Sequence, residues 1–377
     1  MSNKWIIIIL LATSITVHFA FFGHPNETVF DEVHFGKFIS AYYTGEYYFD
    51  IHPPLGKLII AGFAGIFNFE PQYSFVNIGD KFPDNKYLAL RFLPALTGTL
   101  LPLVIYLLIL EFSMSRLAAF TGALLLVFDN ALLTQSRLIL LDPFLLLFGF
   151  ASLLFYFRHL NHSPKKSQHH SQILKNLRMM FNFNLILMAV FGGLAISIKW
   201  TGLSFIALPV LIESYYKFKQ KKIVAFIKFC SFFLISLVIY FSVFALHFAL
   251  LPKPGLGDAF MKSNFRENNI IKNIVDLNIE MYKSNQRLGA THPYGSQWYS
   301  WPFMARPIYY WNGSTSSPQA NPTDTGEEKI YFFGNPLVWW TSSAAVIYSL
   351  WTMANGLWLK FKKAIPLSIV LSPLTIL

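Results

Sequence analysis

Leu55-Gly56-Lys57-Leu58-Ile59-Ile60-Ala61-Gly62-Phe63-Ala64-Gly65-Ile66-Phe67-Asn68-Phe69 is apolar except for Lys57 and Asn68. At about 15 residues it is short for a membrane span and suits an interfacial or re-entrant helix. Its reading sets the side of the membrane on which everything after it lies. If it does not cross, the basic runs Arg158-His159 to Lys165-Lys166 and Arg178, Lys217 to Lys222, and Lys360 to Lys363 all fall on the side of Lys4. Cations concentrate on the cytoplasmic side of membrane proteins, so that side, with the N-terminus, is read as cytoplasmic.

Around this stretch the composition is that of a polytopic membrane protein. Hydrophobic residues make up 54% of the 377, aromatics 18% with 39 Phe, and charged residues 13%. The last figure compares with roughly 25% in soluble domains. A net charge of +11 would indicate nucleic acid in a soluble chain, but the cations here flank apolar runs, so a bilayer and not a nucleic acid is the expected partner. Cys230, the one cysteine, excludes an intrachain disulfide.

Expected spans are Trp5 to Phe22, Leu88 to Phe112, Leu117 to Leu133, Leu138 to Phe157, Leu185 to Ile198, Thr201 to Tyr216, Ile223 to Leu250 and Pro336 to Leu359, with a ninth from Ala364. No small-residue cleavage site follows the first, which is read as an uncleaved helix. The division is residues 1–251 as a transmembrane core with an outer loop at 23–87, residues 252–335 as a second outer loop, and residues 336–377 as C-terminal transmembrane helices. Because the chain ends at Leu377 inside an apolar stretch, it reads as a fragment lacking its last helices. In the second loop, Phe260 to Leu288 carries Phe260, Ile271, Ile274, Val275, Met281 and Tyr282 near helical spacing, which predicts an amphipathic helix on the membrane.

Chemistry is expected in the outer loops. Asp31-Glu32 follows the first span. Acids at a helix N-terminus complement the macrodipole, which is the bland reading. The functional one is a general base, its pKa raised under a low-dielectric roof, beside a second acid. In His52-Pro53-Pro54-Leu55-Gly56-Lys57 the prolines suit a helix start, and Lys57 in the first turn fits either a lipid phosphate or snorkelling to headgroups. Arg91, Arg137, Lys199 and Arg306 are cations at outer ends of spans or in outer loops, each an anchor or part of a phosphate site. Asp142 is expected just inside a span, needing Arg137 or Lys199 as partner. Thr291 to Pro302, with His292, Trp298 and Trp301, continues through Arg306 to Trp311 and mixes aromatics with polar groups. That mixture suits a sugar or an interfacial aromatic belt equally. No metal-ligand spacing and no nucleotide-binding loop is present.

Taken in order, Asp31-Glu32, His52 to Lys57, Arg91-Phe92-Leu93-Pro94-Ala95-Leu96-Thr97-Gly98, Ser136-Arg137-Leu138-Ile139-Leu140-Leu141-Asp142, Lys199-Trp200-Thr201-Gly202 and His292-Pro293-Tyr294 through Arg306-Pro307 resemble the protein O-mannosyltransferases over nearly the whole chain. The resemblance implies an all-α GT-C membrane fold with an outward-facing site in the plasma membrane. It also implies transfer of mannose from polyprenyl-phosphate-mannose to Ser or Thr hydroxyls of polypeptides, with inversion. Asp31 is then the catalytic base with Glu32 beside it. Lys57, Arg137, Lys199 and Arg306 are the phosphate candidates, and His52, His292, Trp298 and Trp301 the sugar or acceptor candidates. Arg91 and Asp142 are structural. The lipid-linked sugar is a substrate and no cofactor is expected. A second outer loop too short for β-trefoil inserts points to the bacterial type. The alternatives are a related GT-C transferase acting on lipid A or another glycolipid, and a transporter, which would place charges at mid-membrane.

Overall fold

The computed structural model describes residues 3–162, 182–267, 269–287, 289, 295–313 and 328–355. In chain order its helices are α1 (Asn3–Phe19), α2 (Glu32–Thr44), α3 (Leu55–Ile66), α4 (Tyr87–Glu111), α5 (Arg116–Val127), α6 (Asn130–Ser136), α7 (Asp142–His162), α8 (Phe183–Ile198), α9 (Leu203–Lys219), α10 (Ile223–Cys230), α11 (Phe233–Leu250), α12 (Ile270–Arg287) and α13 (Pro336–Ala354). Two strands, β1 (Ile308–Asn312) and β2 (Lys329–Phe332), pair antiparallel before α13. The ninth expected span, the basic runs at 165–166, 178 and 360–363, and His292 lie outside the described residues.

Among the described residues, three segments are long and apolar enough to cross a membrane: Tyr87–Glu111, Asp142–His162 and Ile223–Leu250. Arg116–Val127 and Asn130–Ser136 make a fourth if their 59° bend is counted as one broken span. Neighbours α4, α7, α8 and α11 pack in succession, with α1 and α5 against α4. A Cβ on Gly193 of α8 would lie 2.7 Å from the Ser236 backbone of α11, so this close crossing requires glycine. Pro94 and Pro102 sit inside α4, and Ser14 of α1 donates to the Thr99 carbonyl between them at 2.9 Å.

Two expected elements differ in the structure. The continuous span Leu117 to Leu133 breaks at Asp129, an acid within the apolar run. Its Oδ1 accepts the Leu132 N–H at 3.0 Å and starts a new helix, while Oδ2 accepts Trp339 Nε1–H at 3.0 Å and the Asn335 N–H at 3.2 Å. The amphipathic helix begins at Ile270, ten residues later than Phe260, after two 3₁₀ turns at Leu256–Phe260 and Phe265–Glu267. Its buried face is Ile274, Leu277 and Met281, packed with Phe244 of α11, and Ile271, Val275 and Tyr282 face outward.

α3 is the short helix its sequence predicts. Its 12 residues rise about 18 Å at ~1.5 Å each, well under the ~30 Å hydrocarbon thickness. It buries Gly56, Lys57, Ile60, Ala61 and Ala64 between α2 and α4.

Candidate active site

Asp31 and Glu32, adjacent in sequence, point to different surroundings, since neighbours at a helix start diverge by about 100°. Glu32 is fully buried and paired with Arg91 of α4. Arg91 Nε donates to Oε1 at 2.8 Å and Nη2 to Oε2 at 2.6 Å, and the N–H groups of Ile139 and Val29 complete the carboxylate at 2.8 and 2.9 Å. The remaining Arg91 donors reach the carbonyls of Gly23, Pro25 and Glu27 at 3.1, 2.6 and 2.8 Å. All five guanidinium donors and all four carboxylate acceptor positions are thereby occupied. Glu32 is therefore corrected from a catalytic partner of Asp31 to the pin that ties the first outer loop to α4 and to the turn before α7. Arg91 is fully buried and spends its donors on Glu32 and on backbone carbonyls.

Asp31 occupies the N-cap position of α2, yet its side chain makes no capping bond. The carboxylate is left for other chemistry. It is half-buried, and burial raises its pKa above the ordinary carboxylate value. His34 and Lys199 oppose that shift, while Asp142 and Asp50 add to it. The site is thus an acid-rich cluster assembled from α2, the α2–α3 loop, the start of α7 and the α8–α9 turn.

Two ion pairs organise the cluster. Lys199, at the end of α8, donates to both Asp142 oxygens at 2.8 and 3.0 Å. This pair stays partly accessible, with side-chain exposures of 20% and 21%, and uses two of the three ammonium N–H groups. Lys57 is fully buried and donates to Asp50 and to the carbonyls of His52 and Pro53, the latter two at 3.0 and 3.2 Å. Those three acceptors saturate it, which corrects both the phosphate-contact and the snorkelling readings. Its role is to fold the Asp50–Pro54 turn around itself. His52 is part of this turn, and burial, assisted by Lys199, pushes its pKa down to about 4, so the imidazole is neutral at physiological pH.

The remaining cations are elsewhere. Arg137 ends α6 and donates through Nη2 to the carbonyls of Ala20 and Phe21 at 2.6 and 2.8 Å. It lines a cavity of about 1050 Å³ with Phe21, Phe22, His24, Thr134, Leu138 and residues of β2. Arg306 is exposed, Trp298 is 71% exposed, and Trp301 donates to Ser296 Oγ at 2.9 Å.

β1 does reach the residues just before Asp31, through side chains the sequence reading left within an aromatic run. Tyr310 of β1 is buried, and its ring stacks on Phe30 at 4.0 Å with an interplanar angle of 6°. Trp311 donates to Glu27 Oε2 at 3.0 Å. No signal in the sequence links residue 310 to residue 30. Asp50 was more accessible, because a Pro-Pro turn between it and Lys57 brings the chain back on itself. Among the described residues no group of three or more His, Cys, Asp or Glu is arranged to hold a metal ion.

Comparison with known proteins adds the decisive observation. Residues 8–252 match the family described as dolichyl-phosphate-mannose-protein mannosyltransferase, and residues 270–367 match the C-terminal four-transmembrane region of protein O-mannosyltransferase. The chain belongs to this family. Protein O-mannosyltransferase 1 of Drosophila melanogaster is 35% identical over 256 residues, 64% of this chain and 27% of that protein. Dolichyl-phosphate-mannose–protein mannosyltransferase 4 of Schizosaccharomyces pombe is 34% identical over 283 residues, 70% of this chain and 34% of that protein. The chain therefore spans about a third or less of the length of these mannosyltransferases. Among solved structures, the S. cerevisiae protein O-mannosyltransferase Pmt1–Pmt2 complex bound to the sugar donor superposes with a TM-score of 0.79 at 18% identity, covering 94% of this chain and 76% of that one. An Archaeoglobus fulgidus oligosaccharyltransferase in the apo form gives 0.53 at 13%, covering 97% of this chain and 46% of that one. The protein is a multi-pass membrane protein of the GT-C fold, in a family of glycosyltransferases.

Proposed function

We propose that this protein transfers mannose from polyprenyl-phosphate-mannose to Ser or Thr hydroxyls of polypeptides, inverting the anomeric centre, at the exterior face of the plasma membrane with its N-terminus in the cytoplasm. The observation that carries the reading is Asp31, an uncapped carboxylate at a helix start whose basicity is raised by burial. Inversion needs one base to take the acceptor proton and no carboxylate nucleophile. The tie-up of Glu32 with Arg91 agrees with that requirement, since it leaves Asp31 without an adjacent reactive acid.

Departure of the lipid phosphate requires no proton but does require a cation. Lys199 is the proposed partner, with its third N–H group directed to phosphate while Asp142 holds the ammonium in place. The cavity beside Arg137, walled by Phe21, Phe22 and Leu138, is the proposed approach for the donor lipid. His52, neutral at physiological pH, is the proposed hydrogen-bonding partner of a sugar or acceptor hydroxyl. The reaction as proposed uses no metal and no nucleotide.

The test is an assay of the purified protein with polyprenyl-phosphate-mannose and a Thr-rich peptide. Peptide carrying mannose of the anomeric configuration opposite to the donor's is expected. Transfer to a glycolipid acceptor and not to peptide would replace the acceptor class.

A further inference from the structure

We infer that Tyr310 is a positioning residue for Asp31: its ring, stacked on Phe30, holds the backbone turn that aims the carboxylate. The inference rests on Asp31 as the base.

Asp31 makes no capping bond, so the helix start does not fix the direction of its side chain. Direction has to come from the residues on either side. Glu32 is immobilised by Arg91 and by the N–H groups of Val29 and Ile139. On the other side Phe30 has φ +47°, in the left-handed region that bulky residues rarely adopt. Such a conformation persists only where the surroundings over-determine it. Here the determinant is a stack of three rings. Tyr310 lies 4.0 Å from Phe30 at 6° and 5.5 Å from Phe332 of β2 at 8°, and Gln135 of α6 donates to its hydroxyl at 2.8 Å. Trp311, next along β1, holds Glu27 four residues before Asp31. The two-stranded hairpin is thus a brace, built by the second outer loop, against the catalytic segment of the first.

The ring has a second effect. Tyr310 is 3% exposed and lies within electrostatic reach of both Asp31 and Asp142, so it forms part of the roof over the carboxylate. Other groups facing Asp31 are His34 on α2, Asp50 in the α2–α3 loop, Asp142 on α7 and Lys199 after α8. Removing the ring admits water and lowers the Asp31 pKa towards its ordinary value.

The experiment compares kcat, donor KM and the pH dependence of kcat for the full chain and for Tyr310→Phe, Tyr310→Ala and Phe30→Leu. Absence of mannosyl transfer by the unsubstituted protein would count against the proposed function itself, not against the brace. Given transfer, Tyr310→Phe keeps the ring and is expected within about threefold of the unsubstituted kcat at every pH. Tyr310→Ala is expected to lose on the order of 10–100-fold in kcat with donor KM nearly unchanged, as misplacement of a reacting group does. Its acid limb should move to lower pH. Phe30→Leu keeps apolar volume but not a stacking face, and should lose kcat similarly even if Tyr310→Ala does not fold. Unchanged kcat and acid limb in Tyr310→Ala, or unchanged kcat in Phe30→Leu, would overturn the inference. So would a loss in Tyr310→Phe equal to that in Tyr310→Ala, which would assign the effect to the hydroxyl.

Discussion

Two neighbouring carboxylates with opposite fates show how much of the site a sequence reveals. Asp31 and Glu32 are alike as a dipeptide, and only the fold separates them, by bringing Arg91 across 59 residues to one and not the other. Lys199 and Asp142 were legible, because an acid inside a span demands a cation at its own depth. Which of two candidate cations supplies it was not. Breaking a buried ion pair from one side strands a charge, so Glu32→Gln is expected to destabilise the protein by about 3–5 kcal/mol, measured as loss of folded protein on heating in detergent. Asp31 should behave in the reverse sense. Its folded-state pKa is raised, so the folded protein holds its proton more tightly than the unfolded chain, and stability falls as pH rises from 3.8 through the folded value. Asp31→Asn should therefore raise the melting temperature at neutral pH. The same raised pKa places the acid limb of the pH–rate profile above the ordinary carboxylate value of 3.8. His52 adds a second pH effect, because its pKa falls from 6.5 to about 4 on folding. Stability from this group is full above about 6.5 and is lost as pH falls towards 4.

At the level of elements, hydropathy located the helices well and their breaks poorly. The span expected over Leu117 to Leu133 contains one acid, and that acid decides its shape. Asp129 caps α6 and receives two donors from the start of α13, some two hundred residues away, a tertiary pairing invisible to local pattern. Asp129→Ala removes a cap and leaves those donors unpaired, so a loss of about 1–2 kcal/mol is expected in thermal unfolding. The later start of α12 has a similar origin. Its apolar residues satisfy helical spacing on two faces, and only the packing of Ile274, Leu277 and Met281 on Phe244 chooses between them.

For the whole molecule, the proposed topology rests on charge parity around the short helix α3, whose 12 residues rise well under the ~30 Å hydrocarbon thickness. In a Cys230→Ser background, Asn77→Cys is expected to react with an impermeant thiol reagent added to intact cells, and Lys221→Cys is not. Labelling of Lys221→Cys and not of Asn77→Cys would reverse the assignment of sides, and equal labelling of both would contradict it. The resemblance to a mannosyltransferase was readable because its motifs lie at span ends and in loops, whereas the stacking of Tyr310 on Phe30 required the fold. The central claim is that this assembly delivers one base, Asp31, to a mannosyl acceptor. Its most direct test is turnover of polyprenyl-phosphate-mannose with a Thr-rich peptide by Asp31→Asn, alongside donor binding. The account predicts a fall of about 10²–10⁴-fold in kcat with donor binding retained. Turnover within about threefold of the unsubstituted protein would contradict it, since an amide cannot accept the proton.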